Sequence, residues 1–150
     1  MAQTTSFSFT TYTKKFCIVG LFIPGFTVFP IVGLQMGIER SGVECSASWP
    51  LLWTITSIGM VVAPIAFIQQ MLSKLRRSER MTTFNLMTFN IAEYILIQSS
   101  LAFFFTTGRT LCHVADGQNG IEFVFTAWMS LPILIVLSLL FDKIWEVKTH

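Results

Sequence analysis

Charge is what this chain has least of. Only 12% of its 150 residues are Asp, Glu, Lys or Arg, about half the share a water-soluble domain carries. The charges that exist gather in short clusters between long uncharged runs, which is how a chain that crosses a bilayer several times reads. A formal net charge of +2, with no basic patch interleaved with aromatics, excludes nucleic-acid binding. No Cys-x-x-Cys is present, so a thiol-redox enzyme lacks its paired nucleophile. There is no internal repeat. No Asn-x-Ser/Thr acceptor occurs either, so a bacterial inner membrane and a eukaryotic endomembrane or plasma membrane all stay open.

What is abundant is apolar: 53% of the residues are hydrophobic, 15 of them Phe, and the mean hydropathy is +0.65. Four stretches are candidates to cross a membrane. Phe16 to Ile38 and Trp49 to Leu72 carry no charge, and neither does the run from about Phe123 to Phe141. The stretch between Arg80 and Arg109 carries one ionisable residue, Glu93. A helix of ~20 residues is about 30 Å long, enough to cross the hydrocarbon once. The expected fold class is therefore all-α, an integral membrane four-helix bundle with spans at about 16–38, 49–72, 83–107 and 122–141. A signal peptide in place of the first span is disfavoured, because the run exceeds the usual h-region and no A-x-A-like site follows it.

Basic residues set the orientation. Lys14, Lys15, Lys74, Arg76, Arg77, Arg80, Lys143 and Lys148 would share one side, leaving only Arg40 and Arg109 on the other. The positive-inside bias makes both termini cytoplasmic. Residues 1–15 then form a cytoplasmic tail, 16–142 a single four-span domain and 143–150 a second cytoplasmic tail. The Ser/Thr-rich leader within residues 2–13 has no pattern that demands structure. Trp49, Trp53, Trp145 and Tyr12 fall near the expected interfaces, where aromatic anchors gather.

Cys45 and Cys112 fall in the two exoplasmic loops, on the oxidising side, and a disulfide between them is expected. Cys17, within the first span, should pack as a small hydrophobe. Cys112-His113 with Asp116 nearby makes neither a nucleophile with its base nor a zinc set, since no second His–Cys pair supports it. Asp116-Gly117-Gln118-Asn119-Gly120 is turn chemistry. No catalytic residue, metal or cofactor is expected.

Inside the membrane two features stand out. Thr56, Gly59, Ala63, Ala66 and Gln70 recur at helical spacing, a small-residue stripe that lets two backbones approach closely; Gly33 and Gly37 form a G-x-x-x-G in the first span. These read as helix-packing positions. The sharper feature is Glu93. An ionised side chain deep in a span costs at least ~2.5 kcal/mol unless it is neutralised, paired or hydrated. Asn90, Glu93, Ile97 and Ser100 share one face, with Tyr94 beside it and Gln98 pointing elsewhere. Gln69 and Gln70 on the neighbouring span belong to the same half, so Glu93 should be buried, neutral and bonded to one of these amides. Pro64, which releases the Met60 carbonyl, offers another partner. Pro24-Gly25 followed by Pro30 makes the first span the least regular.

A proton or cation site and a structural hydrogen bond are both open for Glu93. The leading functional expectation is a non-enzymatic membrane protein that binds another membrane protein, or copies of itself, as an accessory subunit, regulator or inhibitor. A small transporter or channel using Glu93 is the alternative, and a lipid-modifying enzyme a third.

Overall fold

The computed structural model describes residues 7–72, 79–113 and 119–149. All regular structure among them is helical: α1 (Phe9–Phe22), α2 (Val28–Arg40), α3 (Cys45–Leu72), α4 (Glu79–Ala102), α5 (Gly108–His113) and α6 (Asn119–Thr149). Lys74, Arg76 and Arg77, the Asp116-Gly117-Gln118 turn and His150 lie outside the described residues, as do residues 2–6 of the leader. Two helices, α3 and α6, are long and apolar enough to cross a membrane.

The first apolar stretch is not one helix. Pro24 has no N–H to give and disfavours a helical residue before it, so α1 makes its last bond from Ile23 N to Val19 O at 3.1 Å. The chain turns through Pro24–Thr27 and restarts, with Val28 N donating to Gly25 O at 3.2 Å. Pro30 falls in the first turn of α2, where a missing N–H removes no helical bond. The two halves go to different neighbours: α1 packs on α6 and α4, and α2 mainly on α3.

The leader also departs from expectation, because helix begins at Phe9 rather than Phe16. The cause is capping from both sides. Ser8 Oγ accepts from Thr11 N at 3.3 Å. Asp142, near the end of α6, accepts from Phe9 N at 2.6 Å, Thr10 N at 3.0 Å and Ser8 Oγ at 3.1 Å. A helix start has unpaired N–H groups and a positive dipole end, so a carboxylate is well placed there. Phe9 then enters an aromatic cluster with Phe67, Phe141 and Trp145, where Phe67 stacks on Phe89 at 4.5 Å between centroids.

At the opposite end α5 folds back on the start of α3. The Cys45–Cys112 disulfide joins them across a Cα separation of 6.0 Å. Gly108 makes the approach possible: a Cβ there would lie 2.5 Å from the Ser46 carbonyl and 3.2 Å from Pro50 Cδ. Trp49 and Trp53 are buried here rather than placed as interfacial anchors. Trp49 lies against Trp53 and Phe123, in a cluster that also buries Ile31, Leu52 and Ala102. Gly42, with φ +96°, closes α2 in the left-handed conformation that glycine adopts freely.

The surface is unlike that of a water-soluble protein, and the interior holds polar side chains among its apolar clusters. Phe29, Phe22, Phe104, Phe84, Ile121, Ile58 and many other large apolar side chains are exposed along the outside. The interior, in contrast, buries Thr13, Thr27, Gln35, Asn90, Glu93, Gln98, Ser130 and Ser138. Water would not leave so much contiguous apolar area uncovered.

Candidate functional site

The buried polar residues form successive levels along the inside of the bundle. Nearest the termini, Ser138 Oγ donates to Thr10 Oγ1 at 3.4 Å, linking α6 to α1. One level in, Asn90 Nδ2 on α4 donates to Thr13 Oγ1 on α1 at 3.1 Å. Towards the disulfide end, Thr56 Oγ1 on α3 donates to Ser99 Oγ on α4 at 3.2 Å, and Ser100 Oγ donates back to the Leu96 carbonyl at 2.7 Å. Gln98 bridges three elements, accepting from Thr27 Oγ1 through Oε1 and donating from Nε2 to the Phe123 carbonyl at 2.8 Å. Gln35 Nε2 donates to Ser48 Oγ at 2.8 Å.

Glu93 lies between these levels, near the middle of α4. It is wholly inaccessible (0% exposed), and neither carboxyl oxygen has a hydrogen-bond partner. The adjacent Tyr94 is equally buried and its hydroxyl also lacks a partner. Tyr94 marks where the first stretch breaks: Phe16 of α1 meets its ring edge-on, and Phe26, within the turn, stacks on it, both at 5.9 Å between centroids. A Cβ on Gly20 would come 3.9 Å from the Tyr94 hydroxyl. Pro24 leaves that glycine's carbonyl without its helical donor.

Asn90, Glu93, Tyr94 and Ser100 are each buried, but Asn90 bonds Thr13 and Ser100 bonds the Leu96 carbonyl, and neither reaches Glu93. Gln69 and Gln70 are exposed instead, because the phase of α3 that buries Phe67 and Met71 turns them outward. The hydrogen bond expected from Glu93 to an amide or to the Met60 carbonyl is not made. Gln98, expected to point away, is fully buried, since the turn at 23–27 brings Thr27 onto its face of α4. On the small-residue stripe, Thr56 is buried and Gly59 meets α4 so closely that a Cβ would lie 2.9 Å from Leu96 Cδ2. Ala66, further along, is exposed. Gly33 and Gly37 face away from the rest of the chain, with no atom within 4 Å of a Cβ at either position.

Thr10, Thr13, Ser138 and Asp142 were not expected at the site. A signal for the first two was present: Thr10, Thr13, Cys17 and Gly20 recur at helical spacing and are all buried. Starting the span at Phe16 hides that stripe.

Among the described residues these features define an all-helical protein with an apolar exterior, an interior in which buried polar side chains alternate with apolar clusters, and two helices of membrane-crossing length. Comparison with family models, curated proteins and solved structures gives no match.

Proposed function

We propose that the chain is a four-span integral membrane protein, both termini cytoplasmic, that binds another membrane protein through the outer face of α2 as an accessory subunit, regulator or inhibitor. In this reading α1 and α2 together make the first, broken span, and α3, α4 and α6 make the others. Support comes from the large apolar side chains exposed on the outside, from the polar side chains buried within and from the eight-to-two bias of basic residues.

One observation carries the contact reading. Gly33 and Gly37 lie one turn apart on α2 with nothing of their own chain near them, while Ile31 and Gln35 on the same helix are buried. Glycine in a helix interior costs about 1 kcal/mol relative to alanine, and acyl chains gain nothing from it. A second helix does, because two glycines at this spacing let backbones meet at van der Waals distance.

The test is clean because the space is open. Gly33→Ile with Gly37→Ile leaves the fold and the Cys45–Cys112 disulfide intact. It is expected to abolish the larger complex seen on size exclusion of the mild-detergent extract. A wild-type chain that always runs alone as a monomer overturns the proposal.

A further inference from the structure

The feature still without a role is Glu93, an inaccessible carboxyl group with both oxygens unpartnered. A hydrogen bond that fixes helix register would have a partner, and this group has none. A salt bridge is excluded by the charges around it. On α1, Lys14 and Lys15 are exposed and Cys17 is the buried titratable group. On α3 no titratable side chain lies between Cys45, in its disulfide, and Leu72. On α6 the described charged side chains are Glu122 at the start and Asp142, Lys143 and Glu146 beyond the apolar run. Of these, Asp142 is engaged by the start of α1 and Lys143 is exposed. On α2 the charged residues, Glu39 and Arg40, are at its far end. An isolated carboxylate in a span is expensive, so the buried state calls for a neutral acid or a bound cation.

The second observation concerns what covers the group. Thr13 of α1 bonds Asn90, one turn before Glu93, and Phe16 of α1 packs on Tyr94, the next residue. α1 therefore lies over the α4 turns that flank the carboxyl. It is separated from α2 by the turn at 24–27 and fastened at its free end by Asp142. Non-helical backbone at membrane depth recurs beside ion sites in discontinuous spans.

We propose that Glu93 is a binding site for one monovalent cation, a proton or a sodium ion, and that α1 is its gate, hinged at residues 24–27 and held shut at Asp142. The proposal rests on the four-span reading but not on the α2 contact, whose loss leaves it untouched. When the carboxyl is occupied, α1 stays packed. When it empties, the unpaired charge draws water and α1 lifts.

Cys17 is a native reporter. It is the free cysteine of the described chain, buried on α1, and the other two of the three form the disulfide. Alkylation by N-ethylmaleimide is measured on the full chain in sodium-free liposomes across pH, for wild type and Glu93→Gln. The thiol's own pH dependence is common to both, so the ratio of rates is the readout. The ratio is expected to rise roughly tenfold or more from acid to alkaline pH, since only wild type has a charge to expose. Equal profiles overturn the proposal.

Modification of wild-type Glu93 by dicyclohexylcarbodiimide, mapped by mass spectrometry, keeps the test decisive should Glu93→Gln fail to assemble. Labelling that falls as pH rises supports the site. Protection by sodium at fixed pH assigns the ion to sodium, and absence of protection assigns it to the proton. Labelling that is absent at every pH, or independent of pH, overturns it.

Discussion

Replacing Asp142 by alanine removes one acceptor that serves three donors: Phe9 N, Thr10 N and Ser8 Oγ. Losing an N-terminal cap costs about 1–2 kcal/mol. Losing the negative charge beside the helix dipole adds about 0.3–1 kcal/mol. Ser8 still caps Thr11 N, so the first turn is weakened rather than stripped, and the sum is about 2 kcal/mol. At ~1.4 kcal/mol per factor of ten, the opening constant of α1 should rise roughly 30-fold. Amide hydrogen exchange on the chain in lipid nanodiscs reads this directly. Protection over Phe9–Thr13 should fall by about that factor, while the middle of α3, which Asp142 does not touch, keeps its protection. Asp142→Asn retains one side-chain acceptor oxygen and should lose roughly half as much free energy. Unchanged exchange in α1, or an equal loss across α3, would refute the argument that this carboxylate fastens one helix rather than stabilising the whole.

Gly108→Ala should be among the most damaging single substitutions, because the contact it creates is with the Ser46 carbonyl, a backbone atom that cannot swing aside. The measurable result is a fall in thermal stability together with free thiol at Cys45 and Cys112. Gly59→Ala meets only the end of the flexible Leu96 side chain, so its cost should be about 1 kcal/mol and visible as a small midpoint shift. Cys45→Ser with Cys112→Ser should lower stability by about 2–4 kcal/mol under oxidising conditions; reduced wild type should behave the same way.

How much was legible in the sequence varies along the chain. The apolar runs of α3 and α6 identify themselves, since their composition and length alone suffice. α4 does not, because Asn85, Asn90, Glu93, Gln98, Ser99 and Ser100 dilute it. That polarity is usable only because neighbouring helices face it, which a single sequence cannot display. The first span carried its own warning in Pro24-Gly25, but where the two halves go depends on contacts with α6 and α3. Gln98 illustrates the limit: helical phase placed it away from Glu93 correctly, yet outside and inside were exchanged because the Thr27 turn was unforeseen. The outward phase of Gln69 and Gln70 was settled by Phe67 and Met71, whose packing outweighed a shared depth. Trp49 and Trp53 show the same rule for aromatics: they pack with Ile31, Leu52 and Phe123 inside the chain instead of lying at an interface.

The covalent link between Cys45 and Cys112 spans 67 residues, and within that interval lie all of α3 and α4. In the four-span reading proposed above, the ring closes only after Cys112 has followed Cys45 to the oxidising side of the membrane. That reading gives assembly an order, with α3 and α4 inserted before the bond can close around them.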